Sequence, residues 1–294
     1  RPFVRQLVDE VIAEESDRIQ EEDGQVLADI FLNLATGTNN HLPTMVPNWR
    51  DHLERKGLQP KTIDQMITDA EFLTKTFPTA LLLTETNVQL WIDGLLKSIT
   101  ASKSTFQRTL SNYKSFFKYL KSIKEIPKSV KNPFDEIDLS SVHTSFKGSP
   151  GLKKTRSWTP FAKQEVETLY DSAVGSADNP LSHLILIGAY TGMRIEEICS
   201  LKIDDVDMVK RAITIVDAKT KAGERTIPIH SEVQNTVTLL KNTSSDGYLL
   251  SGLTSNKYGD RSNAIGKRFG RLKKKLGHPE TKVFHSIRKT FTTL

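Results

Sequence analysis

The chain has 294 residues, a formal net charge of +6 and one cysteine, Cys199. This length favours two domains, and a single cysteine excludes an internal disulfide or a cysteine-rich zinc site. The sequence contains no run of about 18 apolar residues and no secretory signal, so we expect a cytoplasmic protein without a membrane span. The net positive charge is compatible with a nucleic-acid partner.

The first 43 residues form a segment of distinct composition. Apolar side chains recur at helical spacing and are followed by a break rich in Gly, Asn and Pro. Residues 9–23 carry eight acidic side chains and one arginine. We therefore interpret residues 1–43 as a helical appendage whose acidity argues against direct contact with phosphates.

Residues 44–133 have the pattern of a compact all-helical domain. The clearest helix covers residues 104–124, where an apolar stripe contains Phe106, Leu110, Tyr113, Phe117, Leu120 and Ile123. Basic residues lie largely off this stripe, and we predict DNA contacts from Lys103, Arg108 and Lys114. A solvated helix face explains these charges equally well.

A polar stretch rich in Ser and Gly, residues 134–158, predicts a linker. From residue 159 onward the pattern is helical, with Thr159 and Pro160 predicting a helix start. One exception is "RAITIVDAKTKAGERTIPIH", which alternates, turns and alternates again, as in a β-hairpin. The sequence thus predicts a mainly α-helical protein with a small antiparallel β-sheet in the domain spanning residues 159–294.

A segment near the C-terminal end of the sequence is strongly basic. Residues 261–289 contain ten Lys or Arg and one acid, Glu280. We predict that Lys267, Arg268 and Arg271 contact DNA, although a solvated helix face is the alternative.

Three stretches place cations at defined positions. Arg194 follows Gly192, where an apolar helix is predicted to end; Lys221 lies at the hairpin turn; and His285 and Arg288 are three residues apart on a predicted helix. Each feature alone is weak evidence for a catalytic site.

In combination and order, these stretches resemble the tyrosine recombinase (phage integrase) family. The matching sequences are "AYTGMRIEEICSLKIDDVD", "KTKAGERTIPI" and "HSIRKTFTTL", and the resemblance covers residues 44–294. It implies a helical core-binding domain (SAM-like), residues 44–133, and a catalytic domain, residues 159–294, which together form a clamp around duplex DNA.

The resemblance also implies roles for individual residues. Arg194 and Arg288 would bind the scissile phosphate, which suits two forked guanidinium groups that stay charged. His285 would accompany them, and Lys221 would donate a proton to the leaving 5′ oxygen. Lys219 competes for the role of Lys221, because hairpin lengths vary in the family. This chemistry implies no cofactor and no metal.

Glu197 corresponds to the acidic residue that follows the first arginine in the family, and we expect it to orient the arginine region. The family's nucleophilic tyrosine follows the His-x-x-Arg motif, but all six tyrosines here precede Arg288. Tyr258, in a polar loop, is the one most easily mistaken for it. We therefore expect that the nucleophile is unknown, that the chain is C-terminally incomplete and that it is inactive for cleavage.

The predicted function is site-specific DNA recombination through a 3′-phosphotyrosyl intermediate. The expected setting is integration or excision of a mobile element, by a tetramer on paired sites of double-stranded DNA. A type IB topoisomerase-like enzyme and a non-catalytic DNA-binding protein on the same fold are the alternatives.

Overall fold

The computed structural model describes residues 41–98, 101–137, 157–216 and 224–293. The chain divides into two compact units, with the division between residues 155 and 156. The predicted appendage up to residue 40, most of the predicted linker, and the two candidate lysines Lys219 and Lys221 lie outside the described residues. Among the helices described, none is long and apolar enough to cross a membrane.

The first unit is helical throughout its described part. Its helices are α1 (Leu42–Arg55), α2 (Pro60–Thr76), α3 (Glu85–Ser98) and α4 (Lys103–Ser122). Aromatic rings fill the core, where Trp49 of α1 and Phe116 of α4 lie 4.9 Å apart between ring centroids. The carboxylate of Asp69 on α2 accepts a 2.6 Å hydrogen bond from Asn112 on α4, so a buried polar contact also joins these helices.

The core of this unit extends past the predicted range 44–133 at both ends. Leu42 begins α1 and is fully buried. Phe134, which the sequence assigned to the linker, is also fully buried and packs against Tyr113, with ring centroids 5.4 Å apart. Burial of these apolar side chains keeps both ends of the unit in its core.

The second unit contains the mixed part of the fold. Its elements are α5 (Lys163–Gly175), α6 (Asn179–Thr191), α7 (Ile195–Cys199), β1 (Val206–Asp207), β2 (Ala212–Ile215), β3 (Arg225–Pro228), α8 (Ser231–Thr243), α9 (Ser262–Lys275) and α10 (Phe284–Thr293). The strands form one antiparallel sheet in the order β1-β2-β3, with Ile213 opposite Ile227 and Ile215 opposite Arg225. The predicted antiparallel pairing of the two hairpin strands and the mainly α-helical class with a small sheet are confirmed, while the predicted turn lies outside the described residues.

The predicted helix start at Thr159 and Pro160 is wrong. Helix α5 begins at Lys163, and the Ala162 backbone N–H donates to Glu165 at 2.7 Å. Phe161 is instead held to α10, because its backbone N–H donates to the Thr290 hydroxyl (2.9 Å), which in turn donates to the Phe161 carbonyl (2.8 Å).

Helices α6 and α10 pack closely because glycines on one meet aromatic rings on the other. A Cβ on Gly188 would lie 2.8 Å from the Phe284 ring, and a Cβ on Gly192 would lie 2.4 Å from the Phe291 ring. Gly192 also has φ +59°, a conformation that favours glycine at a helix C-terminus. This packing aligns α10 beside the end of α6.

Candidate functional site

Arg194 lies in the short connection between α6 and α7. Gly192 ends α6 as the sequence predicts, and Arg194 is the N-cap residue of α7. Its backbone N–H donates to Glu197 Oε2 (2.8 Å), and its Nη1 donates to Glu197 Oε1 (2.6 Å). The Arg194 side chain is 54% exposed, so one carboxylate orients a guanidinium that still faces solvent.

Arg288 reaches the same turn from α10. Its Nη1 donates to the carbonyl of Gly192 at 2.5 Å, although the two residues are 96 positions apart in sequence. Burial lowers the pKa of Arg288, and the nearby positive charges of Arg194 and Arg225 lower it further. Cations that depress each other's pKa in this way favour binding of an anion between them.

His285 lies one turn before Arg288 on α10 and is exposed. Burial of part of the ring lowers its pKa below the ordinary value of 6.5, and the charges of Arg288, Lys289 and Arg194 act in the same direction. The imidazole is therefore neutral at pH 7 and can accept a proton as well as donate a hydrogen bond.

Arg225, the first residue of β3, is a third arginine in this group, and the sequence reasoning did not assign it a role. Its Nη2 donates to Glu197 Oε2 (2.7 Å) and its Nη1 to Glu197 Oε1 (3.3 Å). In the sequence, Arg225 is a cation at the start of the second hairpin strand, and this position by itself indicates only an exposed charge. We call Arg194, Glu197, Arg225, His285 and Arg288 the arginine cluster.

Glu197 is the carboxylate at the centre of the arginine cluster, and its side chain is only 9% exposed. Burial would raise its pKa, but hydrogen bonds from Arg225 and Arg194 outweigh that effect and lower the pKa to about 2. The group is therefore ionised throughout the physiological range. Its expected role in orienting the arginine region agrees with these contacts.

A second carboxylate fixes α7 from the other side. Glu196 accepts hydrogen bonds from the backbone N–H groups of Arg261 (2.8 Å) and Ser262 (2.9 Å). These donors at the start of α9 would otherwise have no partner within the helix. The buried Arg261 guanidinium donates to the carbonyl of Cys199 at 2.9 Å, at the end of α7. Helix α7 is thus attached to α9 through both termini, which holds Arg194 in place.

The sequence profile of the phage integrase family matches residues 160–294. The second unit is a phage integrase domain. No curated protein sequence matches the chain detectably. The sequence similarity of this chain to integrases is therefore detected through the family profile, and it covers the region that contains the arginine cluster.

Solved structures of integrases share the fold over most of the chain. One is the Tn1549 transposon integrase (residues 82–397) in complex with a circular intermediate DNA, with 22% identity, TM-score 0.63 and coverage of 86% of this chain and 85% of that chain. Lambda integrase (residues 75–356) bound to DNA has 16% identity, TM-score 0.64 and 86% coverage of both chains. A lambda integrase tetramer bound to a Holliday junction covers 99% of this chain and 82% of that chain, at 15% identity and TM-score 0.68.

Within the integrase domain, α9 carries the other predicted DNA contacts. Lys267 and Arg271 are exposed and one helical turn apart, so they share a face. They line a groove of about 300 Å³ together with Asn256, Asn263 and Arg268. We call Lys267 and Arg271 the basic face of α9.

Arg268 also lies on α9 but is excluded from the basic face, because its guanidinium is paired with a carboxylate. Its Nε donates to Asp178 Oδ2 at 2.8 Å, and a second guanidinium nitrogen also contacts this carboxylate. Asp178 in turn accepts the backbone N–H of Leu181 and caps α6. Arg268 therefore joins α9 to α6, and its charge is neutralised within the domain.

The three residues of the first unit that are predicted to contact DNA differ in exposure and in pairing. Arg108 is exposed, and Lys103 is half-buried at the start of α4. Lys114 is paired with Asp135 at 3.4 Å. Their role in DNA binding stays a prediction.

The tyrosines occupy varied positions within the described residues. Tyr113 and Tyr119 are buried in the first unit. In the integrase domain, Tyr170 and Tyr190 line an apolar groove, and the ring of Tyr248 lies 3.7 Å from the guanidinium of Arg261. Tyr258 is in a loop beside Lys257, whose Nζ is 4.7 Å from the ring centroid.

Proposed function

We propose that the protein binds duplex DNA and that Arg194 and Arg288 hold a scissile phosphate during site-specific strand exchange. The observation that carries this proposal is the meeting of the two arginines at the Gly192 turn, inside a phage integrase domain. Attack on a phosphodiester concentrates negative charge on two non-bridging oxygens, and two guanidinium groups can bind these oxygens bidentately.

The remaining steps need groups of different chemistry. A neutral His285 can assist proton transfer at the phosphate, because its lowered pKa keeps it unprotonated near pH 7. Lys221, or Lys219 in its place, would protonate the leaving 5′ oxygen; both lie between β2 and β3 in the sequence. The 3′-phosphotyrosyl link needs a tyrosine, and the six tyrosines of the sequence all precede Arg288.

Comparison with integrases supports the setting of the reaction. The structural neighbours include a transposon integrase on a circular intermediate DNA and an integrase tetramer on a Holliday junction. We therefore assign this protein to integration or excision of a mobile element, acting as a tetramer on paired DNA sites.

A nicked suicide substrate tests the proposal. The 294-residue chain should bind the duplex without forming a covalent adduct. A longer version of the chain that supplies a tyrosine after Arg288 should form one, and Arg194→Ala or Arg288→Ala should slow adduct formation by about 10²–10³-fold. An adduct from the present chain that disappears with Tyr258→Phe would overturn our assignment of the nucleophile.

The same extended protein separates the alternatives. Strand exchange between two DNA molecules supports a recombinase, whereas supercoil relaxation without exchange identifies a topoisomerase-like enzyme. Binding without any cleavage identifies a non-catalytic DNA-binding protein.

A further inference from the structure

Arg194 and Arg225 share a single carboxylate but differ in how freely they can leave it. Arg225 makes two hydrogen bonds to Glu197, one to each oxygen, and its side chain is 27% exposed. The Arg194 guanidinium makes one, and its side chain is 54% exposed. The bidentate partner is thus the more fixed of the two.

This difference matters when an anion arrives at the cluster. To bind a phosphate through its forked face, the Arg194 guanidinium must give up or share its bond with Glu197. If no second cation were present, that step would leave the Glu197 carboxylate without a charged partner. This is strongly unfavourable because the side chain is nine-tenths buried. Arg225 removes this obstacle because it can remain bound to both oxygens of Glu197.

We propose that Arg225 is a positioning residue that holds Glu197 and thereby frees the Arg194 guanidinium to bind phosphate. The proposal rests on the proposed function, because it assumes that Arg194 has a phosphate ligand. It assigns Arg225 no contact with the phosphate itself. Since Arg225 is the first residue of β3, the same contact fixes the start of that strand.

The first experiment needs no phosphate. The pKa of the Glu197 carboxyl is measured by ¹³C NMR in the wild type, in Arg194→Gln and in Arg225→Gln. Arg194→Gln mimics the departure of that guanidinium, and we expect the pKa of Glu197 to stay well below its ordinary value there and to rise more in Arg225→Gln. If Arg194→Gln raises it as much as Arg225→Gln does, the proposal is wrong.

The second experiment measures affinity for inorganic phosphate through the shift of the Arg194 Nε–H signal. Arg225→Gln should weaken binding by about tenfold, the effect of one hydrogen bond to a charged group. Arg225→Lys, which keeps the charge but cannot form the bidentate contact, should also weaken it. Arg211→Gln removes an equal charge from the other end of the hairpin and serves as the control, with little effect expected.

A double-mutant cycle separates positioning from direct contact. In a Glu197→Gln background there is no carboxylate to hold, so Arg225→Gln should no longer weaken phosphate binding. An undiminished effect in that background would mean that Arg225 binds phosphate directly and would overturn the proposal. If the wild type shows no phosphate shift, the proposed function fails, while the pKa measurements still decide whether Arg225 alone can hold Glu197.

Discussion

The arginine cluster and the basic face of α9 both carry positive charge, but in the cluster the arginine side chains are fixed by hydrogen bonds within the domain. In the cluster, the guanidinium groups of Arg194 and Arg225 are fixed by Glu197, and that of Arg288 by a backbone carbonyl. Lys267 and Arg271 are exposed along a groove. Positioning a reacting phosphate requires a fixed geometry, whereas affinity for a DNA backbone needs only accessible charge. The two regions should therefore respond to different perturbations.

The largest effect is expected from removing the carboxylate that organises the cluster. Glu197→Ala leaves two guanidinium groups without their common partner, and should lower the free energy of unfolding by about 3 kcal/mol, the contribution that the lowered pKa of Glu197 implies. Urea denaturation measures this loss. Glu167→Ala, which breaks an exposed ion pair with Lys163 at 3.9 Å, is the matched control and should cost about 0–1 kcal/mol.

Acid should weaken the cluster before it affects the basic face of α9. The pKa of Glu197 in the folded state is about 2, below its ordinary value of 4.5, so its stabilisation is present above pH 4.5 and is lost as the pH falls toward 2. This contribution is on the order of 3 kcal/mol. Unfolding measured between pH 6 and roughly pH 2.5 should show the stability gap between wild type and Glu197→Gln closing. A constant gap would contradict this prediction.

Neutralising the basic face of α9 should change DNA binding without changing stability. Lys267→Gln with Arg271→Gln removes the two phosphate contacts that we propose, so the magnitude of the slope of log affinity against log salt should decrease by about 1.8. Affinity at 0.1 M salt should then fall by roughly 60-fold. Fluorescence anisotropy with a labelled duplex measures both quantities. Arg268→Gln should behave in the opposite way, lowering stability and leaving the slope nearly unchanged, because Asp178 already neutralises this arginine.

Glycine-to-alanine substitutions test packing at the two regions and should have the smallest effects. Gly188→Ala, one turn before Gly192 on α6, places a Cβ 2.8 Å from the Phe284 ring and should cost about 1–3 kcal/mol. Gly270→Ala on α9 meets no atom within 4 Å and should stabilise the domain by about 0.5–1 kcal/mol. Thermal unfolding of both variants would decide the sign of each effect.

Sequence alone determined the features that depend on local pattern. The helical stripe of α4, the end of α6 at Gly192 and the pairing of β2 with β3 follow from periodicity and turn residues, which neighbouring positions encode. The order of the arginine, hairpin and His-x-x-Arg motifs was also sufficient to indicate the family that matches residues 160–294. These motifs carry information because each contains several residues at fixed spacing.

Only the tertiary structure decided which cations are available to a ligand. Arg225 meets Glu197 across 28 residues, Arg268 meets Asp178 across 90, and Phe161 is held by Thr290 across 129. Each of these residues fits a surface charge or a helix start when only its neighbours in the chain are considered. Side-chain partners that are distant in sequence leave no local periodicity, and burial of the paired groups depends on how α6, α9 and α10 pack together.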